Sequence, residues 1–414
     1  MKFIHCSDLH IDSPLLGLER YPGTPVDEMR DSTRQAFHNI VSAAIENKVD
    51  LVVISGDVFD GNWRDFNTGL FFTDELARLR EAKIKVVLLK GNHDAESEVT
   101  KSLRWPSNVK VLAHRAPETV IFEDIGVAVH GQSFAEKAVT TDLAAQYSTA
   151  KKNLFNLGML HTCMAGGSTH LPYAPTTLQT LGSKGYDYWA LGHVHEREIL
   201  CQEPRVVFSG NSQGRHAREL GAKGCDLVTV DDDGIRNDFL EVDAVRWAQV
   251  AVDIGGILDL DALMEKARGG IVASAADAGG RVVAIRLVLT GSGKVHSELV
   301  ADPEKAIAQL RAMTIDETDG RGWVERVKLQ TGPHYDRTAL AVRDDPVGEL
   351  VRFSTKLESS DAELQQMARE TLGSMLDKLP SEVRNELKLN DREQLKAVLR
   401  EAESQVLSLL GSKT

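Results

Sequence analysis

A chain of 414 residues with 42% hydrophobic and 26% charged side chains has the composition of a globular protein of roughly two to three domains, not of a disordered, collagen-like or disulfide-stapled one. Its net charge of −13 argues against a basic coat for nucleic acid, so any contact with DNA has to be local or completed by a partner. No apolar run approaches the roughly 18 residues of a membrane helix, the four cysteines form no CxxC pair and the first six residues do not look like a leader; a reduced, cytoplasmic setting without membrane contact is expected.

Over residues 1–240, short apolar runs alternate with helical stretches, the rhythm of an α/β domain. Runs 2–6, 50–54, 84–89, 156–160 and 186–191 are rich in β-branched residues and leucine, and each stops at Asp, His, Asn or Gly. Between the first two, residues 33–47 predict an amphipathic helix with Ala36, Ile40, Ala44 and Ile45 on one stripe; residues 72–80 predict another. After Trp247 the pattern becomes strand 248–253, helix 260–267, strand 281–290, helix 303–313 and strand 323–330, jointed at Gly279-Gly280 and Gly291. This βαβαβ stretch holds no cluster of potential ligands and fits a packing or substrate-shaping domain.

From Asp344 the chain reads as helical. Asp345-Pro346 is a helix start, and Ser360 to Glu363 is a capping box ahead of Leu364, Ala368, Leu372, Met375 and Leu379. Pro380 interrupts, and Asn390 to Glu393 opens a last amphipathic helix. The expected organisation is an α/β domain over 1–243, a small α+β domain over 244–340 and a helical region over 341–414. Those last helices either pack on their own chain or dock a partner helix.

The five apolar runs deliver, in order, Asp8 and His10; Asp57 and Asp60 after Gly56; Asn92 and His93 after Gly91; His161; and His193 and His195 after Gly192. In α/β sheets the loops beyond the carboxyl ends of strands converge on the site. Taken singly, His161 would be a satisfied core histidine and Asp8 a turn residue. Five strand ends each bringing hard or borderline ligands are difficult to reach by chance. Oxygen and imidazole donors without thiolates suit Mn²⁺, Fe²⁺ or Zn²⁺. Glycine before Asp57, Asn92 and His193 permits the close backbone approach that such a site needs. His5, His38, His114, His130, His170, His296 and His334 lack this context and read as structural or exposed, as Cys6 and Cys163 read as packing.

The order DxH, GDxxD, GNHD, lone His and GHxH resembles that of the calcineurin-like metallophosphoesterases. The resemblance implies a four-layer αββα sandwich and two divalent metal ions, Mn²⁺ first with Fe²⁺ or Zn²⁺ as alternatives. One ion would be held by Asp8, His10, Asp57 and His195, the other by Asp57, Asn92, His161 and His193. It further implies that His93 serves the leaving oxygen as a general acid and that Asp60 orients His93. Two such ions can clamp the attacking and leaving oxygens of an in-line displacement at phosphorus.

Residues 5–15 (HCSDLHIDSPL), 60–69 (DGNWRDFNTG) and 208–219 (FSGNSQGRHARE) look like the YhaO group of SbcD-type DNA repair exonucleases. Asp12 departs from many relatives, which carry glycine there. The resemblance implies a Mn²⁺-dependent nuclease that degrades duplex ends, with single-strand endonuclease activity besides. Its implied partners are DNA, an SbcC-like coiled-coil ATPase docked on the terminal helices, and a second copy of the chain in a homodimer.

Independent signals for nucleic acid are a segment, 205–223, with Arg205, Arg215, Arg218 and Lys223 against Glu219, and Trp63, Arg64 and Phe66 after the second motif. Arg215 and Arg218 are the candidates for phosphate contact. For Trp63 simple surface packing is favoured. A small-substrate phosphodiesterase or phosphatase with the same dimetal site is the alternative, and a non-catalytic adaptor for an ATPase is a third reading.

Overall fold

Strands β1 (Lys2–Cys6), β2 (Leu51–Ser55) and β3 (Lys85–Leu89) run parallel, Phe3 opposite Leu51 and Leu51 opposite Lys85. They are apolar on both faces, as parallel strands covered on both sides have to be. In the computed structural model, which describes residues 1–13, 26–60, 66–96, 103–165, 173–376 and 391–411, the period of two sorts their side chains cleanly. Ile4, Cys6, Val52, Ile54, Val86 and Leu88 face a helical layer, whereas Phe3, Leu51, Val53, Val87 and Leu89 face a second sheet.

The helical layer is α1 (Val26–Glu46) and α2 (Phe66–Glu81). Ala36, Phe37, Ile40, Val41 and Ala44 of α1 and Phe72, Leu76 and Leu79 of α2 close that core. Both helices begin upstream of the predicted starts, because burial of Met29 and of Thr68 and Gly69 extends the packed face.

The first sheet is completed by β4 (Val109–Val111), β11 (Gly224–Asp231) and β12 (Gly234–Glu241), in the order β12-β11-β1-β2-β3-β4. The second contains β5 (Glu118–Phe122), β6 (Val127–Gly131), β7 (Phe155–His161), β8 (Tyr188–Gly192), β9 (Glu198–Cys201) and β10 (Arg205–Phe208), ordered β5-β6-β7-β8-β10-β9. Val127, Val129, Leu157, Met159, Tyr188, Ala190 and Val207 meet the first sheet. Leu160, Trp189, Leu191, Val206 and Phe208 point the other way, onto Phe134, Tyr147, Leu181 and Tyr186. The result is the expected helix–sheet–sheet–helix sandwich of an α/β phosphoesterase.

The chain divides into two compact units, one of Met1–Ala248 with Ala275–Ile285 and Arg321–Glu325, the other of Gln249–Ser274, Arg286–Gly320 and Arg326–Thr414. Strands β13 (Val245–Asp253), β14 (Val282–Gly293) and β15 (Gly322–Pro333) form a three-stranded sheet in that order. Helix α3 (Leu260–Asp277), all but its last three residues in the second unit, buries Leu263, Ala267 and Ile271, and Gly270 lies against Val250, whose Cγ1 would be 2.5 Å from an added Cβ. The second unit's helices over Pro346–Ser359 and Asp361–Leu376 start at the predicted caps, whereas that over Arg392–Gly411 is capped by Asp391, the expected Asn390 lying outside the described residues. Asp345 accepts from the Gly348 amide at 2.9 Å, Ser360 from that of Glu363 at 3.4 Å, and Asp391 from that of Gln394 at 3.0 Å. Arg337 ties two of these helices together, 3.1 Å from Glu358 and 2.8 Å from Glu403. No helix among the described residues is long and apolar enough to cross a membrane. Trp63, Arg64, His170, Leu379, Pro380 and Asn390 lie outside the described residues.

Candidate metal centre

Every candidate ligand leaves the carboxyl end of a parallel strand. Asp8 and His10 follow β1, Asp57 and Asp60 follow β2, Asn92 and His93 follow β3, His161 ends β7, and His193 and His195 follow β8. Four of these residues sit in left-handed backbone, Asp8 at φ 51°, His10 at 43°, Asp57 at 52° and His193 at 99°. Such conformations are costly for non-glycine residues and persist where the surroundings enforce them. Here the first two loops hold each other: the Asp8 amide donates to Gly56 O at 2.9 Å and that of His10 to Asp57 O at 3.0 Å.

The glycines are required by crowding. A Cβ on Gly91 would lie 2.2 Å from Asp57 Oδ1, and one on Gly192 would lie 2.1 Å from Ser55 O.

Three groups result, Asp8 with His10 and His195, Asp57 with His161 and His193, and Asp60 with His10 and His93; within each the ligand atoms lie within 4.8 Å of one another, and the first two are the candidate cation clusters. His10 Nδ1 is 2.7 Å from Asp60 Oδ1, and His195 Nδ1 is 2.7 Å from Glu219 Oε1. A carboxylate at Nδ1 places the proton there. The two Nε2 lone pairs then face each other at 3.3 Å, which is repulsive unless a cation is shared. The second cluster shows the same logic. His161 Nδ1 donates to Ser55 O at 2.9 Å, which leaves its Nε2 against Asn92 Oδ1 at 2.9 Å and Asp57 Oδ2 at 3.3 Å. Three acceptors converge. Complete burial pushes the His161 pKa down, but the Asp57 carboxylate outweighs it and holds the ring up at about 9. Asp57 itself is held well below the usual carboxylate range, burial being overcome by His161 and the other rings. The donor set therefore fits two divalent cations, with Asp57 and Asn92 on the side of His161.

Asp60 touches more than the sequence implied. Besides His10 it lies 3.1 Å from His93 Nδ1, so one carboxylate orients both rings. That hydrogen bond raises the His93 pKa, against a partial burial that lowers it. His93 is also fixed by its amide, which donates to Asp57 Oδ1 at 2.9 Å. Its side chain is 38% exposed, on the open side of the site, where His195 is 27% exposed.

Arg215 is brought to this edge: Nη1 lies 3.5 Å from Asp60 Oδ2, and Nη2 3.6 Å from Glu219 Oε1. Arg218 is exposed, its amide facing His216. The rest of the basic segment does not form a patch. Arg205 donates to Ile235 O at 3.0 Å, and Lys223 is buried with Nζ 3.2 Å from His195 O. Both are internal ties. Phe66 is 62% exposed on α2.

Glu219 and Asp94 were not singled out in the sequence. Glu219 counted only as a charge opposing the arginines. Asp94 is buried and accepts from the amides of Val58, Phe59 and Gly91 at 3.0, 3.0 and 3.1 Å; burial and the Asp57 charge push it up to about 6. Its place in the GNHD motif was the available signal. Asp12 has φ 58° and is held by Arg34 Nε at 2.7 Å and by Thr68.

The calcineurin-like phosphoesterase family model matches residues 1–197, and the model of the metallophosphoesterase YhaO middle domain matches residues 247–332. An uncharacterized metallophosphoesterase, YhaO of Bacillus subtilis, is 35% identical over 296 residues, 70% of this chain and 72% of that one. The DNA double-strand break repair protein Mre11 of Methanopyrus kandleri is 24% identical over 395 residues, 85% of this chain and 80% of its own; that of Saccharolobus solfataricus is 26% identical over 50% and 53%. Among solved structures, a dimetal phosphatase from Danio rerio superposes with a TM-score of 0.37 at 10% identity, over 58% of this chain and 96% of that one. The chain belongs to the calcineurin-like metallophosphoesterases, with the middle domain of the YhaO kind.

Proposed function

We propose that this phosphoesterase is a Mn²⁺-dependent DNA nuclease that shortens duplex ends, with single-strand endonuclease activity, and acts in DNA repair. The observation that carries the reading is the His93–Asp60 pair beside two clusters of potential metal ligands, which is equipment for breaking a phosphodiester bond. The relatives named DNA double-strand break repair proteins support DNA as the substrate.

Two divalent cations, when bound, supply charge neutralisation and an activated water for in-line attack. The chain's residues do the rest. Asp8 is fixed by Ser7 Oγ at 2.6 Å and the His193 amide at 3.0 Å. His93, its Nδ1 committed to Asp60, keeps Nε2 for the leaving oxygen. Arg215 faces the incoming phosphate oxygens with a guanidinium whose side-chain contacts are all 3.4 Å or longer, beyond the usual range for a made hydrogen bond. Arg218 would contact a flanking phosphate. An SbcC-like ATPase on the terminal helices and a second copy of the chain complete the proposed assembly in the cytoplasm.

One observation favours a small-substrate phosphodiesterase as the second reading: Arg205 and Lys223 are spent inside the fold, which shrinks the surface for a polyanion. The test is Mn²⁺-dependent digestion of end-labelled linear duplex beside bis-p-nitrophenyl phosphate, with His93→Asn as control. Shortened duplex and a dead variant support the nuclease. Cleavage of the small diester alone, also with the cognate ATPase present, sinks it in favour of the second reading.

A further inference from the structure

The two clusters are not equivalent in charge. The first has Asp8 as its own carboxylate, whereas the second has the neutral Asn92 amide; Asp57 is common to the proposed pair. Behind three of the four ligand histidines the contacts differ as well. Both histidines of the first cluster are backed by carboxylates, His10 by Asp60 and His195 by Glu219, each at 2.7 Å. His161 of the second is backed by a peptide carbonyl, Ser55 O, at 2.9 Å. A carboxylate behind a ligating imidazole makes it a stronger donor, and losing such a partner typically weakens metal binding about 10–100-fold.

Glu219 is built for this task. It is 7% exposed and its second oxygen is saturated, accepting from the Arg215 amide at 2.7 Å and from Asn211 Nδ2 at 3.0 Å. Oε1 is thereby aimed at the ring. Residues 211–219 form a brace whose product is the orientation and protonation of one imidazole.

We infer that Glu219 is a positioning residue for His195, and that with Asp60 it makes the Asp8–His10–His195 cluster the tighter of the two cation sites, filled before the Asp57–Asn92–His161–His193 site. The inference rests on the two-cation reading of the centre and is independent of the substrate.

The test is a titration of the metal-stripped full chain with Mn²⁺, free ion being followed by electron paramagnetic resonance. Two unequal classes are expected. Asn92→Ala should weaken only the looser class, which identifies it, and Glu219→Gln should weaken the tighter class about 10–100-fold while leaving the looser one in place. Glu219→Asp, with a shorter reach, should give an intermediate loss and covers the case in which the glutamine variant does not fold. Equal affinities in the wild type, or weakening of the looser class by the Glu219 variants, overturns the inference. Failure to cut DNA leaves this readout intact, so it cannot be confused with failure of the nuclease reading.

Discussion

Gly91→Ala tests whether the crowding around Asp57 is what builds the centre. The added Cβ would meet Asp57 Oδ1 at 2.2 Å, Asp57 Cγ at 2.9 Å and the Asp57 backbone nitrogen at 2.8 Å. The carboxylate can swing away, but the peptide nitrogen cannot, because its loop is tied to the loop after β1 through the His10 amide at 3.0 Å. Overpacking of this kind costs about 1–3 kcal/mol. A second loss comes with it, since a displaced Asp57 no longer presents an oxygen to either cluster. Mn²⁺ at about 100 times its dissociation constant adds about 2.7 kcal/mol to a folded protein that binds it, and that increment should vanish. Urea unfolding with and without Mn²⁺ separates the two terms. Gly182→Ala is the contrast: it sits in the helix Leu178–Gly182 with nothing within 4 Å of its Cβ, and should stabilise by about 0.5 kcal/mol. Wild-type stability and an undiminished Mn²⁺ increment in Gly91→Ala would refute the reasoning.

The Asp60 hydrogen bond raises the His93 pKa above its ordinary 6.5. An acid must be protonated to act, so kcat should fall as pH rises through the raised value, and Asp60→Asn should move that alkaline limb to lower pH; a limb that stays put in pH–rate profiles on bis-p-nitrophenyl phosphate excludes His93 as the acid. Asp12 combines left-handed backbone with bonds from Arg34 and Thr68. Asp12→Ala keeps the strain and loses the bonds, whereas Asp12→Gly loses both, so the alanine variant should be less stable than the glycine variant by about 1 kcal/mol in urea melts. Removal of metal with a chelator should lower the melting temperature and abolish diester turnover, and Mn²⁺ should restore both; retained turnover would remove the cations from the reaction.

How much of the site could be read in advance depended on whether a residue's role is local. Asp8, His10, Asp57, Asn92, His161, His193 and His195 each stand at or just beyond the end of an apolar run, and a strand end is visible as a change of composition. Gly91 and Gly192 could be flagged because tight approach needs glycine wherever the chain goes. Glu219 could not. Its partner His195 is 24 positions away, and nothing in its neighbourhood distinguishes it from a solvated acid. The same holds for the fate of the basic segment. Arg205, Arg215, Arg218 and Lys223 look alike as charges, but Arg205 turns to Ile235 O, Lys223 to His195 O and Arg215 to the centre. Which way a long side chain points is decided by what the other strands place opposite it.

The sequence by itself therefore determined the class of fold, the caps at Asp345 and Ser360, the ligand types and their order, because periodicity, capping and ligand chemistry act over a few residues. Only the tertiary structure decided that two sheets bring five strand ends to one place, that Asp60 serves both His10 and His93, and that Glu219 rather than solvent stands behind His195. Those are contacts between residues 24 to 50 positions apart or more, and such contacts exist only once the chain has closed on itself.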